Sequence, residues 1–385
     1  MPRERRALPD EERDGRTRLK LVSIVGARPQ FIKAAAVSRA IREGAAAIDE
    51  RLVHTGQHYD DNMSAVFFDE LDIPPARYDL KISGGSHGAM TGRMLEAIEA
   101  VLVEEQPDWV LIYGDTNSTL SGALAAAKLN IPIAHVEAGV RSFNRRMPEE
   151  INRIVTDRLS SLLFCPTATA VSNLSAEGIT GGVHNFGDVM YDVALYYRDR
   201  AKQRSTILRD HSLGERGFVL ATCHRAENTD DPSRLGEIVS ALGDIASDLP
   251  VVFPLHPRTR KQIDDYGLRP RLGAVTVIDP LPFLDMIALE QAAKVILTDS
   301  GGIQKEAFFY GVPCVTMRSE TEWVETISSG RNQLAGASRA SILSAVAAID
   351  GEAAPAPDRA TPYGNGDAAA RIVRCLAAAA APGRG

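Results

Sequence analysis

The chain has 385 residues, 44% of them hydrophobic, which is enough for two domains of ordinary size that each bury a core. A formal net charge of −7 excludes nucleic acid as the main partner, because phosphate-binding surfaces need a basic footprint, but leaves room for a local basic cleft that takes a small anion. No run of eighteen apolar residues occurs, so no membrane-spanning helix is expected.

In chain order, residues 1–18 mix Arg, Glu and Asp without the apolar core of a signal peptide, and read as a disordered tail. Lys20–Val25 is an apolar, β-branched run followed by Gly26-Ala27-Arg28-Pro29 and an amphipathic pattern through Arg42: a strand, a glycine turn and a helix. Leu52–His54 is a second short strand, and helices are expected at about 60–70 and 87–105. Trp109–Tyr113 and Ile131–Val136 are short apolar runs flanked by turn residues, and read as buried parallel strands on either side of an Ala-rich core helix, Leu120–Lys128. Leu162–Cys165 and Val183–Phe186 complete a first doubly wound α/β sheet that ends at Gly187-Asp188.

The pattern then restarts. Gly217–Thr222, Pro250–Pro254, Val275–Ile278, Val295–Leu297 and Cys314–Met317 are apolar runs separated by helical segments, a second α/β domain of similar size. The boundary falls near 189–213, giving domains of 19–190 and 191–365 and a C-terminal helix and tail over 366–385. Cys165, Cys223, Cys314 and Cys375 lie far apart in or beside apolar runs, which fits reduced core residues and hence a reducing, cytoplasmic setting.

Ligands of open α/β sheets bind at the carboxyl ends of the strands. Asp115, His135, Glu137, Arg141, Glu149 and Glu150 all follow or end strands of the first half and converge on one crevice. Carboxylates gathered there without a cysteine or paired-histidine set suggest acid–base chemistry on a small molecule. In the second half, Thr298-Asp299-Ser300-Gly301-Gly302 runs from a strand into a helix, so free backbone N–H groups and the helix dipole can hold a phosphate. Glu306, a helical turn on, can reach ribose hydroxyls, and Arg258 and Arg318 can offset a diphosphate.

Other readings apply to several of these. Asp115 is also a good N-cap for the helix beginning near Ser118, and Glu149 and Glu150 follow Pro148 where acids favour the helix dipole; Glu150 is the more structural of the two. His135, inside an apolar strand, reads as a satisfied core histidine, and Trp109 and Trp323 as packing.

Motifs in order carry a resemblance over roughly 20–375: Gly-Ala-Arg-Pro-Gln-Phe-Ile-Lys (26–33), Thr-Gly-Gln-His (55–58), Gly-Asp-Thr (114–116), His-Val-Glu-Ala-Gly-Val-Arg (135–141), Pro-Glu-Glu-Ile-Asn-Arg (148–153), His-Arg-Ala-Glu-Asn (224–228), His-Pro-Arg (256–258) and Asp-Ser-Gly-Gly-Ile-Gln-Lys-Glu (299–306). The chain resembles the non-hydrolysing UDP-N-acetylglucosamine 2-epimerases. The resemblance implies two Rossmann-like domains facing across a cleft in the glycosyltransferase-like arrangement called GT-B, a homodimer, and no metal or nicotinamide cofactor. It implies that UDP leaves C1 by anti elimination as the C2 proton is removed, giving 2-acetamidoglucal, and re-adds syn with a proton on the opposite face.

By motif position the resemblance implies Asp115, Glu137 and Glu149 as the acid–base set, with His224 a further essential group. Arg28 and Lys33 become cleft cations. Arg141, Arg225, His256, Arg258, Phe283, Ser300, Gly301, Gly302, Glu306 and Arg318 become substrate- or UDP-binding, Phe283 at the uracil. Crowding of three acids is expected to keep one of them protonated. Gln57, His58 and Arg93 match a regulatory pocket of some members, whereas Asp60 stands where Gln is expected.

Three features bear on the sugar. Ala226 stands where the UDP-N-acetylglucosamine enzymes carry Arg. The segments 142–147, 187–192 and 320–325 resemble the branch acting on UDP-2,3-diacetamido-2,3-dideoxy-glucuronic acid, for which Arg145 or Arg146 can pair with the uronate. UDP-N-acetylglucosamine is the first expectation and the uronate the second. A glycosyltransferase shares the fold but needs at most one base, and a sugar-nucleotide hydrolase would release free sugar.

Overall fold

The computed structural model describes residues 18–44, 46–57, 71, 73–350 and 361–379. The tail before residue 18, the helix expected near 60–70, His58 and Asp60 lie outside the described residues. The first half contains β1 (Leu19–Val25), α1 (Arg28–Glu43), β2 (Ile48–His54), β3 (Tyr78–Asp79), α2 (His87–Glu105), β4 (Trp109–Tyr113), α3 (Asn117–Lys128), β5 (Ile133–Val136), α4 (Pro148–Leu159), β6 (Leu162–Cys165), α5 (Ala168–Ala176) and β7 (Val183–Asn185). Helices α6 (Val189–Arg204) and α7 (Ile207–Asp210) lead into the second half. There β8 (Val219–Thr222), β9 (Val251–Pro254), β10 (Thr276–Ile278), β11 (Val295–Thr298), β12 (Cys314–Thr316) and β13 (Asn332–Leu334) alternate with helices α8 (Ala226–Thr229), α9 (Pro232–Ile245), α10 (Pro257–Asp265), α11 (Phe283–Ala292), α12 (Gly301–Tyr310), α13 (Val324–Ser328) and α14 (Arg339–Asp350). Helix α15 (Ala368–Ala378) closes the described chain.

All strand pairs are parallel. The sheets run β3-β2-β1-β4-β5-β6-β7 and β10-β9-β8-β11-β12-β13. This is the doubly wound α/β arrangement read from the alternation of apolar runs; β3 and β13, two and three residues long, carry too little pattern to be read beforehand. Strand order reverses between β1 and β4 in one sheet and between β8 and β11 in the other. Loops diverge at such a switch point and leave a crevice at the strand ends.

Glycines make the first crevice possible. A Cβ on Gly26, after β1, would lie 2.0 Å from Thr55 Oγ1 and 2.1 Å from Ser118 Oγ, so only glycine passes there. The Gln30 side chain then ties the two switch-point strands together: its Oε1 accepts from the Gly26 and Ala27 N–H groups at 2.9 and 3.0 Å, and its Nε2 donates to the Tyr113 carbonyl at 2.8 Å. Gly114 turns the chain at φ +62° after β4.

The halves share one continuous apolar cluster, which includes Leu21 and Val25 of the first sheet and Leu220 and Ile296 of the second. Helix α6 packs against α1, α11 and α12, and α15 returns to α1. Cys165, Cys223 and Cys314 are buried, Cys375 is half-buried, and none forms a disulfide. Among the described residues no helix is long and apolar enough to cross a membrane.

Candidate active site

The two switch points face each other. On the first half, the Asp115 carboxylate accepts from Arg153 at 2.5 Å, and its carbonyl accepts from Asn152 at 2.8 Å. The cap of α3 is not Asp115 but Thr116, which forms a capping box with Thr119. That leaves the Asp115 side chain to α4 and the cleft. Glu137 sits just past β5 at φ +73°, a left-handed conformation that a non-glycine residue adopts only when its surroundings over-determine it. Lys33 of α1 donates to its Oε1 at 2.5 Å and Lys305 of α12 to its Oε2 at 2.9 Å.

Crowding of three acids was expected to keep one protonated; around Glu137 the opposite holds. Burial pushes its carboxyl up, but Lys305 and Lys33 pull harder and hold it well below the carboxylate range. The physical reason is that Asp115 is engaged by Arg153 and Glu137 by two lysines, so these two carboxylates each have their own cation. Glu149 is half-buried and has no hydrogen-bond or ionic partner among the described residues. Glu150 is structural, as read: it accepts from the Ser142 and Phe143 N–H groups, both at 2.9 Å, from the Ser142 hydroxyl and from Arg153. This pins the 142–147 loop, in which Phe143 adopts φ +59°. Asn144 of the loop donates to Glu320 of the second half at 2.8 Å, while Arg145 and Arg146 are exposed.

On the second half, fully buried Asp299 after β11 accepts from the His224 and Arg225 N–H groups and from Asn228, and so shapes the loop after β8. The His224 side chain, 45% exposed, lies with Nδ1 3.4 Å from Asp299. Desolvation by the cleft walls, with smaller help from Arg225 and Arg28, outweighs Asp299 and lowers its pKa below the usual 6.5. Ser300 begins α12, and its hydroxyl makes no capping bond. A Cβ on Gly301 would meet Glu322 Oε1 and Trp323 Nε1, each at 2.9 Å, whereas one on Gly302 would meet only Ser300 Oγ, at 3.8 Å. Glu306 is pushed up to about 7 by burial, which Lys305 and Arg28 only partly offset. Arg28, half-buried at the start of α1, thus exerts its field on both His224 and Glu306.

Other expected site residues are placed elsewhere. Arg141 does not face the cleft: it is 4% exposed and paired with Asp157 and Glu177, both at 2.7 Å, because the strand end that carries it turns inward onto α4 and α5. His135 is a core histidine, held between Asp157 and the Gly114 carbonyl at 2.7 Å each. Phe283 is 3% exposed and its ring packs edge-on against Tyr197, so the ring does not line the cleft. Arg258 is taken up by Asp230 on the surface, and His256 caps α10 through Nδ1. Arg318 is buried 3.0 Å from Glu322, and Arg225 lies 3.6 Å from the same carboxylate. Gln57 accepts from the Ser118 N–H at the start of α3, and Arg93 donates to the Ser83 and Gly84 carbonyls.

Sequence reading missed Lys305, Asp188, Arg153, Asp299 and Glu322 as site-forming groups. Lys305 and Asp299 lie inside a motif read for its glycines, and Arg318 and Glu322 have the four-residue spacing of an ion pair; both signals were present.

Residues 40–377 match the family model described as UDP-N-acetylglucosamine 2-epimerase. The UDP-2,3-diacetamido-2,3-dideoxy-D-glucuronate 2-epimerase of Pseudomonas aeruginosa is 54% identical over 363 residues, 93% of this chain and 99% of that protein. The UDP-N-acetylglucosamine 2-epimerase of Methanocaldococcus jannaschii is 41% identical over 366 residues, with 93% and 99% covered. Its crystal structure in complex with UDP-GlcNAc and UDP is similar with a TM-score of 0.86, over 94% of this chain and 99% of that one.

Proposed function

Because the chain belongs to the UDP-N-acetylglucosamine 2-epimerase family, we propose that it inverts C2 of a UDP-linked 2-acetamido sugar, and that the sugar is the 2,3-diacetamido-2,3-dideoxy-glucuronate. The observation that carries the chemistry is the confrontation of Asp115, Glu137 and Glu149 at one switch point with the α12 N-terminus and Glu306 at the other, bridged at 2.9 Å by Lys305 and Glu137. In the reaction the C2–H bond breaks toward a carboxylate base while the C1–O bond breaks toward the diphosphate, leaving a C1=C2 double bond; return of UDP with a proton to the other face completes inversion. Glu137, ionised between two lysines, is not the proton donor of this state. Proton donation then belongs to Asp115 or Glu149, while the ionised Glu137 carboxylate is competent as the base. Ser300, Gly301 and Gly302 offer N–H groups to the diphosphate and Glu306 an acceptor to the ribose.

The uronate moves ahead of UDP-N-acetylglucosamine, the first expectation from the sequence, on two supports. Identity to the uronate enzyme is 54% against 41% for the M. jannaschii enzyme. The pinned 142–147 loop also presents Arg145 and Arg146 exposed, as a carboxylate-bearing sugar requires. The test is to incubate pure enzyme with each sugar nucleotide in D2O and follow C2 by NMR. Inversion of the uronate, with deuterium entering C2 and the UDP linkage intact, is the expected result. Turnover of UDP-N-acetylglucosamine alone overturns the sugar, and release of free sugar and UDP overturns the non-hydrolysing chemistry.

A further inference from the structure

Lys305 lies inside the motif that begins the nucleotide cradle, one position before Glu306, yet the structure puts it to a different use. It is 1% exposed. Its ammonium donates to Glu137 Oε2 at 2.9 Å and to Asp188 Oδ2 at 2.6 Å, and lies 3.8 Å from the centroid of the Trp323 ring. Asp188 is itself fixed, as the cap of α6 through the Met190 N–H and by donating its own N–H to the Tyr363 carbonyl. The Glu137 carboxylate is therefore divided: Oε1 goes to Lys33 of its own half, Oε2 to Lys305 of the other. The Lys33 contact lies within the first half, whereas the Lys305 contact exists only while the two halves are docked.

We infer that Lys305 is a positioning residue for the reaction, which holds the Glu137 carboxylate in place from the nucleotide-binding half, so that the carboxylate is set for reaction only when the cleft is closed. This rests on the reading of Glu137 as part of the acid–base set. A buried lysine is poor evidence for stability, because lost hydration rivals the attraction of its partners; fixed orientation of a reacting group is what such a pair supplies. The charged and titratable groups that face Glu137 are Lys33 from α1, Lys305 from α12, Asp188 behind Lys305 at the start of α6, and the Tyr363 hydroxyl, whose ionisation the Glu137 charge opposes. Both lysines lower the Glu137 pKa against burial, each through its charge and its hydrogen bond. Without it, Lys33 alone opposes burial, and the carboxyl moves up.

The test uses the full chain labelled with glutamate carrying 13C at Cδ and saturated with UDP, the Glu137 resonance being the one lost in Glu137→Gln. In the wild type that resonance stays ionised from about pH 5 to about pH 8, and in Lys305→Met its midpoint rises by at least about one pH unit. For the sugar that turns over, kcat falls about a hundredfold in Lys305→Met and the acid limb of its pH profile moves up, while KM stays within about threefold. Lys305→Arg restores both. A Glu137 titration unchanged in Lys305→Met, or a kcat loss equal at every pH and not restored by Arg, overturns the inference. Lys305→Gln gives the same readings if the Met variant does not fold. Should the wild type turn over neither sugar nucleotide, the proposed function fails, while the titration still decides whether Lys305 governs Glu137.

Discussion

Glu306 and Glu290 form a second unusual acid pair. Glu290 is buried with Oε2 lacking a hydrogen-bond partner among the described residues, and burial, followed by the Glu306 charge, pushes its pKa well up. Glu306 is raised to about 7, burial outweighing Lys305 and Arg28. If Glu306 accepts the ribose hydroxyls, its ionised form is the better acceptor. UDP affinity should then strengthen as pH rises from about 6 to about 8, by about tenfold at most. Titration calorimetry with UDP on wild type and Glu306→Gln checks this, since the ionisation of UDP itself is common to both. An equal slope in the Gln variant would remove Glu306 from the ribose site. The same shift has a stability consequence of definite sign. The folded protein keeps a proton that the unfolded chain releases near 4.5, so the contribution of Glu306 is fully present below that pH and lost as pH rises through about 7.

At the scale of elements, α12 carries the proposed nucleotide cradle. Its first turn is closed by Glu322 and Trp323, which leave no room for a Cβ at Gly301 but ample room at Gly302. Gly301→Ala must displace a carboxylate and an indole, an overpacking of about 1–3 kcal/mol, and should weaken UDP by about tenfold. Gly302→Ala, which keeps its N–H, should bind within about twofold of wild type. Equal affinities for the two variants would show that the packing behind Gly301 does not shape the site. The strand–glycine–helix pattern of this element was legible in the sequence because apolar runs and glycines are local signals. So were Glu150 as a structural acid and His135 as a core histidine, since both follow from position on a helix or strand. The surroundings of Arg141, Arg258 and Phe283 were not legible, for the opposite reason. Their environments are set by Asp157 and Glu177, by Asp230 and by Tyr197, distant in sequence, and no local pattern announces those partners. The division of Glu137 between Lys33 and Lys305, 104 and 168 residues away, is beyond any local reading.

At the scale of the whole molecule, the halves meet across the cleft through a charge cluster as well as through the shared apolar cluster. Glu322 of the second half lies 3.0 Å from Arg318, 3.6 Å from Arg225 and 3.9 Å from Arg153, and Arg153 in turn holds Asp115 and Glu150 of the first half. The carboxylate is thus the shared anion of three cations, one of them the partner of a proposed catalytic acid, and the arginines hold it below its ordinary pKa against burial. Removing one member of a buried charge cluster leaves the others uncompensated, at about 3–5 kcal/mol. Glu322→Gln should therefore lower the thermal midpoint clearly in the absence of ligand. A diphosphate bound at the neighbouring α12 N-terminus supplies negative charge to the same arginines, so UDP should raise the midpoint more in the variant than in the wild type, a linkage that calorimetry at matched UDP concentrations reads directly. Equal midpoints without ligand would mean that the arginines are compensated elsewhere. An equal UDP response would mean that the diphosphate and Glu322 do not act on the same cations. With both differences present, the cluster that closes the cleft is also the one that senses the leaving group, and departure and return of UDP are coupled to the grip of Arg153 on Asp115.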